Sequence, residues 1–391
     1  MLINDFNAEF VGLQDIIVKK VEKVDKDLVV DIEVTVKTHI CPVCGAMTNT
    51  IHDYRTQHVK HVPPAGGYML LRYKKRRYRC NCCNKRFYEN QSFLPKKHSC
   101  TSSLYAQIFE KTKKSHTYKD IAESLRISPT TVCRIFDMIS FSKPKLPSVI
   151  ALDEFRGNAG GHKFQTIVTN PETRETLDIL PSRNTNDLYT YFKSFPDRDN
   201  VKFVVIDMSS IYAPVVKACF PKAKIIIDKF HFVRQVLWAL ENVRKRVQNS
   251  FSISYRRVFK RGRKLLLAKH YKLNETGKIK LLNMLNTTED LRMAYAIKSK
   301  FYEILDSEDS YTAKRGFGEW TMMGNYNLPE FEQCFKTFIN WMPEILNYFD
   351  YRYTNAYTEG MNNKIKTLKR ISYGVRNFQR FRKRILWINA A

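Results

Sequence analysis

Acidic residues are scarce in this sequence of 391 residues, and long apolar runs are absent from it. Asp and Glu number 38 against 66 Lys and Arg, which gives a formal net charge of +28. A membrane-spanning helix needs roughly 18 consecutive apolar residues, and the sequence has no such run. The first ten residues, MLINDFNAEF, also lack a signal-peptide pattern. We therefore expect a cytoplasmic protein with no membrane partner.

The positive charge lies on a chain that is 43% hydrophobic and is expected to fold. This length and composition predict about two to four domains with a sizeable core. A large excess of Lys and Arg on a folded protein predicts a polyanionic partner, and nucleic acid is the natural one. The nine cysteines are an odd number in a chain without a secretion signal, which favours metal ligation and free thiols over disulfides.

Two Cys-x-x-Cys pairs predict a structural zinc site in the first hundred residues. The pairs are Cys41 with Cys44 and Cys80 with Cys83. Each tight turn lets two thiolates face one ion, so the pairs together supply the four sulfurs of a tetrahedral Zn²⁺ site. Cys82 leaves the register of the second pair open. A hairpin that turns at residues 63–67 is predicted to join the pairs, with YMLLRYKKRRYRC as its returning strand.

Basic residues crowd the returning strand next to the second cysteine pair. Tyr73 and Tyr78 lie between them in the sequence. This combination predicts contacts with the phosphate backbone of DNA, and a merely solvated basic strand is the alternative. The predicted DNA-contacting residues of the strand are Arg76, Arg77 and Arg79.

Residues 104–141 carry the pattern of a helix-turn-helix. The amphipathic run SHTYKDIAESL is followed by a short break at residues 126–128 and then by PTTVCRIFDMI. Ser128 can cap the second helix, and Pro129 suits its first position. Helical hairpins that bind nothing look similar, but the neighbouring basic zinc module favours DNA binding. The residues predicted to face the major groove are Thr130, Thr131 and Arg134.

Three apolar, β-branched runs further along the chain each end on an acid. The runs SVIALDEF, VKFVVID and AKIIID bring Asp153, Asp207 and Asp228 to their ends. A helical pattern separates the last two runs, which predicts parallel strands whose carboxyl ends place the acids at one edge of a sheet. The alternative is that each aspartate only caps the next helix. These residues by themselves do not rank the three aspartates.

The C-terminal stretch combines one helical acid with many cations. Nine Lys or Arg and no acid follow from Gly360 onward. Glu359 either forms a salt bridge there or faces a metal ion while its basic neighbours hold a DNA strand. Those neighbours are Lys364, Lys366, Lys369 and Arg370. Two carboxylates on strands and one on a helix fit two-metal phosphoryl chemistry, because Mg²⁺ prefers oxygen ligands.

Taken in order, these motifs resemble those of the bacterial insertion-sequence transposases of the ISL-three group over essentially the whole chain. The matching residues are Cys41-Pro-Val-Cys44-Gly with Cys80 and Cys83, the helix-turn-helix, Leu-Asp153-Glu-Phe, Asp207-Met with Tyr212, Asp228-Lys-Phe-His231, Glu359-Gly-Met-Asn-Asn-Lys-Ile-Lys and Tyr373-Gly. The resemblance implies a DDE triad of Asp153, Asp207 and Glu359 that holds two Mg²⁺ or Mn²⁺ ions. It gives Asp228, His231 and Tyr212 supporting roles.

The resemblance also implies a fold class, a set of domains and a partner. We expect a multidomain chain of α+β and α/β type whose ribonuclease-H-like core carries a long all-helical insertion. The expected domains are a zinc-binding module at 1–100, a helix-turn-helix at 101–145, the first part of the core at 146–245, the insertion at 246–350 and the last core helix with a basic tail at 351–391. The partner is double-stranded DNA, at the terminal inverted repeats of the element and at its target, in the nucleoid of a bacterium. Assembly as a homodimer or larger is expected, because two element ends must be joined.

Two other functions are compatible with parts of the sequence. One is a catalytically inactive, transposase-derived protein that binds a specific DNA sequence. The presence of all three triad acids disfavours it, because a binder has no need for clustered like charges. The other is a basic RNA-associated protein, which is disfavoured because acids at the centre of the fold would repel RNA phosphates.

Overall fold

Two units make up the described chain, and each has its own hydrophobic core. The computed structural model describes residues 11–62, 68–95, 98–114 and 116–390. The first unit comprises the described residues up to Phe141 together with Leu368–Gly374. The second comprises Ser142–Thr367 and Val375–Asn389.

A five-stranded sheet dominates the first unit. The strands of this unit are β1 (Ile16–Val24), β2 (Asp27–Val34), β3 (His39–Ile40), β4 (Met47–Thr48), β5 (Ile51–His61), β6 (Met69–Arg79) and β7 (Arg86–Tyr88). The sheet runs β1-β2-β6-β5 with β7 paired to β6, while β3 and β4 form a small separate sheet. β5 and β6 pair antiparallel as the predicted hairpin requires, and its predicted turn at residues 63–67 lies outside the described residues.

The alternation of β2 explains why the sheet has one apolar face. Leu28, Val30 and Ile32 are buried, because every second side chain of a strand points to the same side. Asp31 lies on the opposite side and accepts a hydrogen bond from the Arg72 guanidinium at 2.5 Å.

Three short helices follow the sheet: α1 (Ser102–Lys113), α2 (Tyr118–Ser124) and α3 (Pro129–Phe136). The predicted helix-turn-helix consists of α2 and α3. Ser128 caps α3 by accepting a hydrogen bond from the backbone N–H of Thr131, and Pro129 is its first residue. The two helices share a buried core that consists of Ile121, Ala122, Leu125, Ile127, Val132 and Ile135.

A second five-stranded sheet is the centre of the second unit. Its strands are β8 (Val149–Phe155), β9 (Gln165–Asn170), β10 (Glu175–Leu180), β11 (Phe203–Ile206) and β12 (Lys224–Ile227). The order is β10-β9-β8-β11-β12. β8, β11 and β12 are parallel, as predicted, while β9 and β10 are antiparallel to their neighbours. Continuous Val and Ile runs suit the parallel strands because both faces of such a strand are buried.

Helices account for most of the rest of this unit. They are α4 (Thr185–Lys193), α5 (Tyr212–Cys219), α6 (Lys229–Asn249), α7 (Ile253–Leu267), α8 (Glu275–Leu285), α9 (Glu289–Leu305), α10 (Ser310–Met322), α11 (Pro329–Asn340), α12 (Met342–Tyr351), α13 (Ala356–Ile371) and α14 (Phe378–Trp387). No strand interrupts α6 to α12, and the structure describes every residue between them. This segment includes the predicted all-helical insertion.

Aromatic side chains fill the core of the helical segment. Trp320 is fully buried, packs against Phe301 and Phe338, and donates a hydrogen bond from Nε1 to the Ile297 carbonyl at 2.9 Å. Burying the indole is favourable only because its N–H has this partner. The aromatic residues at these positions therefore belong to the core.

Candidate DNA-binding surfaces and catalytic centre

The two cysteine pairs of the first unit meet in one four-sulfur group. The Sγ atoms of Cys41 and Cys83 are 3.5 Å apart, and those of Cys44 and Cys80 are also 3.5 Å apart. All four Sγ atoms lie within 4.8 Å of one another. Zinc–sulfur bonds of about 2.3 Å in a tetrahedron place sulfurs about 3.8 Å apart, so the group fits one Zn²⁺ ion. Cys82 is exposed and outside the group, so Cys83 is the second member of its pair.

The two Cys-x-x-Cys turns have the same backbone hydrogen bond. The N–H of Gly45 bonds the Cys41 carbonyl, and the N–H of Asn84 bonds the Cys80 carbonyl, both at 3.0 Å. Gly45 and Asn84 both have positive φ angles, which suits glycine and asparagine. Backbone N–H groups of the turns lower the pKa of the Cys41 and Cys80 thiols, whereas the pKa of Cys44 and of Cys83 is raised, with the neighbouring thiols among the causes.

Arg76 does not lie on a DNA-binding surface, so this prediction needs correction. Its side chain is only 3% exposed and bonds the carboxylates of Glu33 at 2.7 Å and Glu89 at 3.2 Å. The guanidinium also bonds the Val34 carbonyl at 2.6 Å. Strand alternation does not reveal this, because the ion-pair partners come from β2 and from the residue after β7.

The neighbouring predicted contacts on β6 differ from one another. Tyr73 and Tyr78 are fully buried, so they belong to the core and do not interleave with DNA phosphates. Arg77 is partly exposed and pairs with Asp53 at 2.5 Å. Arg79 is exposed and therefore stays a candidate for a phosphate contact.

On the helix-turn-helix, the residues predicted to reach DNA are accessible to different degrees. Thr130 and Arg134 are exposed on α3. Thr131 is half-buried, and its hydroxyl is 2.8 Å from that of Ser128. Recognition helices contact base edges with residues near their N-terminus, so Thr130 keeps the more favourable position.

The register of the second sheet places three aspartates in one row. Val205 on β11 is opposite Ala151 on β8, so Asp207 and Asp153 occupy equivalent positions two residues further along. Ile206 is opposite Ile227 on β12, so Asp228 follows at the next strand. The carboxyl ends of parallel strands meet at one edge, and this edge carries the acids as predicted.

Asp153 is half-buried next to other negative charges. Its Oδ2 accepts a hydrogen bond from Asn362 Nδ2 at 2.9 Å, and its Oδ1 accepts one from the Glu154 backbone N–H at 2.7 Å. Burial raises the pKa of Asp153 to about 6, and the charge of Asp207 adds to the shift. The carboxyl is therefore poorly stabilised as an anion by the protein alone.

Asp207 has an unsatisfied oxygen in the same edge of the sheet. Its Oδ1 is buried and has no hydrogen-bond partner among the described residues. Burial raises the pKa of Asp207, although the positive charges of His231 and Arg234 oppose the shift. Leaving a buried acceptor without a hydrogen-bond partner costs free energy of folding, which indicates that this oxygen binds a ligand.

Asp228 differs from the other two aspartates because both of its oxygens have partners. Oδ1 accepts the backbone N–H of Asn355 at 2.9 Å, and Oδ2 lies 3.0 Å from His231 Nδ1. Burial lowers the pKa of His231, but the hydrogen bond and the charge of Asp228 outweigh it and raise the pKa. Asp228 thereby joins the start of α6 to the start of α13.

Glu359 shares one side of α13 with two asparagines that contact the strand ends. Asn355, Glu359 and Asn362 are spaced i, i+4 and i+7, and such residues share one side of a helix. Asn355 and Asn362 both contact residues at the strand ends. Glu359 itself is exposed, whereas Met361 and Ile365 are buried. The side chain of Asn362 is also buried, with 6% exposure.

The acids are less tightly grouped than the cysteines. The four cysteines are the one described group of three or more His, Cys, Asp or Glu residues whose ligand atoms lie within 4.8 Å of one another. Asp153, Asp207 and Glu359 do not meet that limit.

Several contacts around the acids were not predicted from the sequence. Asn355 and Asn362 were not assigned roles, although their spacing from Glu359 is a usable indication. Arg183 donates two hydrogen bonds of 2.7 Å to Glu154. The Glu154 carboxylate is therefore paired with Arg183 and does not belong to the row of aspartates. Tyr212 is fully buried, and its hydroxyl is 3.2 Å from Thr166 Oγ1.

The basic residues predicted to contact DNA come after Glu359 in the sequence of α13. Lys364, Lys366 and Arg370 are exposed, and Lys369 is half-buried. Lys366 Nζ is 3.4 Å from the Asn363 side-chain oxygen. Their cationic groups suit DNA phosphates, and this role stays a prediction.

Three family models match the chain in the order of its predicted modules. The zinc-finger of transposase IS204/IS1001/IS1096/IS1165 matches residues 37–83, and the helix-turn-helix domain of transposase family ISL3 matches residues 89–140. The ISL3 model described as a transposase matches residues 150–385, which is more than half of the chain. The chain belongs to the ISL3 transposase family.

Curated relatives differ in how much of this transposase they match. The transposase for insertion sequence element IS1001 of Bordetella parapertussis is 26% identical over 365 residues, 89% of this chain and 88% of the relative. An ATP-dependent protease of Lactococcus lactis subsp. lactis is 32% identical over 104 residues, but these are 26% of this chain and 32% of the relative. The short second match carries no functional argument. Family membership implies an enzyme that cleaves and transfers DNA, with zinc in the four-cysteine group.

Membrane-spanning helices are not found in the described ranges. No helix there is long and apolar enough to cross a bilayer.

Proposed function

We propose that this transposase cuts DNA at the ends of its own insertion sequence and joins them to target DNA, with Asp153, Asp207 and Glu359 holding the catalytic metal ions. The main support is the row of acids at one sheet edge, which α13 crosses with Glu359 on the facing side. Asp228 serves as a support and not a ligand, since both of its oxygens are already bonded.

The core is proposed to be ribonuclease-H-like. The supporting observation is the strand order β10-β9-β8-β11-β12, in which the antiparallel strands β10 and β9 lie beside three parallel strands, β8, β11 and β12. Helices between β12 and α13 then correspond to the all-helical insertion that precedes the glutamate. In this arrangement the first two acids end adjacent strands and the third arrives on a late helix.

The residues at the acidic edge fit divalent metal ions. Hard cations such as Mg²⁺ or Mn²⁺ prefer carboxylate and amide oxygens. The buried Oδ1 atoms of Asp207 and Asn362 lack hydrogen-bond partners among the described residues, so both are available as acceptors. Burial, with a smaller effect of the Asp207 charge, raises the pKa of Asp153, and a bound cation would stabilise its carboxylate. Asp153, Asp207 and Glu359 would hold the ions, which supply Lewis-acid activation of a water and stabilise the developing phosphoryl charge.

The chain's own residues prepare this site in three ways. Asn362 orients the Asp153 carboxylate through its Nδ2 hydrogen bond. His231 and Asn355 hold Asp228, which keeps α6 and α13 at the strand ends. Exposed cations after Glu359 attract the DNA backbone towards the acids.

The N-terminal modules are proposed to recognise the terminal inverted repeats. Exposed Arg79, Thr130 and Arg134 are the supporting contacts, with the arginines suited to phosphates or guanine and the threonine to base edges. Two ends must be cut and joined together, so we propose assembly as a dimer or larger on DNA.

A cleavage assay on the DNA flanking the gene tests the proposal. Wild-type protein should nick or cut the element ends only with Mg²⁺ or Mn²⁺, and Asp207→Asn and Glu359→Gln should each abolish cutting while end binding persists. Asp228→Asn should reduce cutting less than Asp207→Asn does. Specific binding without any cutting by the wild type would favour the inactive DNA-binding alternative. Full cutting by Glu359→Gln would remove that residue from the site.

A further inference from the structure

Two large aromatic side chains are left exposed at the start of α6. Phe230 is 47% exposed and Trp238 is 54% exposed, whereas Phe232, Val236 and Leu240 of the same helix are buried in the core. They are eight residues apart, so they lie on one side of the helix. Exposed aromatic side chains this close to an acidic edge are candidates for a binding surface.

Arg234 lies between the two rings and completes a ladder that we call the α6 platform (Phe230, Arg234 and Trp238). Its guanidinium carbon is 5.5 Å from the centre of the Phe230 ring and 4.7 Å from that of Trp238. Arg234 Nε is buried without a hydrogen-bond partner among the described residues. The guanidinium therefore lies over both rings with part of its hydrogen-bonding capacity unused.

The α6 platform adjoins the acidic edge. Phe230 packs edge-on against the ring of His231, with centroids 5.7 Å apart. His231 in turn contacts Asp228 at 3.0 Å. Arg234 is close enough to Asp207 for its charge to act on that carboxyl. A ligand on the platform would therefore extend along the end of β12 towards the acids.

We propose that the α6 platform stacks an unpaired base of the DNA strand whose phosphates lie at the acidic edge. Aromatic faces bind any base by stacking, and an arginine next to them neutralises a phosphate. Lys229 to Leu240 contains no acidic residue, which suits a polyanion. The inference rests on the proposed function, because it assumes that DNA reaches the acids.

A base needs an aromatic face and a nearby cation, and the platform supplies both. A fully paired duplex keeps its bases stacked on each other and offers no free face to Phe230 or Trp238. The preferred ligand is therefore a single-stranded or frayed end, as arises next to a cut. Base-edge hydrogen bonding is not required, so the platform should tolerate different sequences.

Binding without catalysis tests the inference. The full-length, zinc-loaded protein is titrated with a labelled oligothymidylate and with a blunt duplex of equal length, without added Mg²⁺ or Mn²⁺. Trp238→Ala and Phe230→Ala should each weaken oligothymidylate binding roughly tenfold, with much less effect on the duplex. Trp238→Phe, which keeps an aromatic face, should recover most of the loss. The matched controls are Tyr271→Ala and Tyr311→Ala, since both tyrosines are exposed in the same helical segment.

Two further measurements separate the outcomes. Oligothymidylate should quench part of the tryptophan emission, and Trp238→Phe should remove that quenched part. Arg234→Lys should bind less tightly than wild type, because lysine keeps the charge but not the planar stack. An effect of Trp238→Ala no larger than that of the tyrosine controls would overturn the inference, as would a loss of self-association with DNA binding intact. Absence of cleavage together with platform-dependent binding would reject the catalytic proposal and leave the platform standing.

Discussion

Asn362 on α13 donates a hydrogen bond from Nδ2 to Asp153 Oδ2 at 2.9 Å, although the two residues are 209 positions apart in sequence. The bond joins the helix that carries Glu359 to the first acid-bearing strand. It also leaves Asn362 Oδ1 buried without a partner among the described residues. We therefore propose that Asn362 positions Asp153 for the proposed metal site.

Replacing Asn362 should weaken metal binding more than replacing its neighbour. Asn362→Leu removes the donor that orients Asp153, and loss of such supporting bonds typically costs roughly 10- to 100-fold in metal affinity. The measurement is the shift in thermal transition on Mn²⁺ titration. Asn363→Leu is the matched control, because Asn363 is exposed on the same helix. Equal Mn²⁺ responses in the two variants would rule out the positioning role.

The cysteine group should bind one zinc ion per chain, and only its members should matter. Cys83→Ser should lower the zinc content measured by metal analysis and weaken binding to element ends, because a tetrahedral site loses one of four thiolates. Cys82→Ser should retain zinc, since Cys82 lies outside the group. Zinc loss on Cys82→Ser with retention on Cys83→Ser would reverse the ligand register.

Substitutions of Arg76 and Arg79 should affect different properties, namely stability for Arg76 and DNA binding for Arg79. Arg76→Gln leaves the buried carboxylate of Glu89 without its cation, and breaking a buried pair costs about 3 to 5 kcal/mol. Denaturant unfolding of the protein should report this loss. Arg79→Gln should leave the unfolding free energy within about 0.5 kcal/mol and weaken DNA binding instead, because the side chain is exposed. A stable Arg76→Gln variant with weakened DNA affinity would restore the original surface assignment.

Lys298 should make the stability of the helical segment depend on alkaline pH. The side chain is fully buried and bonds the Ala268 carbonyl at 2.7 Å, and burial lowers the pKa of Lys298 to about 8. An unfolded lysine has a pKa of about 10.4, so between these values the unfolded chain binds more protons. Stability from this group therefore rises with pH from about 8 to about 10, by up to about 3 kcal/mol.

Comparison with Lys298→Met isolates that contribution. The difference in unfolding free energy, wild type minus variant, should increase across the same pH range, since other titrating groups cancel. Tyr295 and Tyr302 next to the amine stay protonated there, because burial raises the pKa of both phenols. A constant difference across the range would show that Lys298 is charged in the folded protein.

The local features of this transposase could be predicted from the sequence alone. The Cys-x-x-Cys turns, the Ser128 cap with Pro129, and the apolar runs that end on acids all depend on neighbouring residues, and the structure has each of them. Parallel pairing of β8, β11 and β12 also followed, because a helix separates β11 from β12 and continuous β-branched runs suit buried strands.

Contacts between distant segments were decided only by the tertiary structure. Arg76 lies in a basic run, yet carboxylates from other strands neutralise it inside the module. Asn355 and Asn362 are ordinary helix residues in sequence, and only the packing of α13 brings them to Asp228 and Asp153. Periodicity determines which face of an element is buried, but the partner on that face depends on how elements pack, and sequence spacing does not encode that pairing.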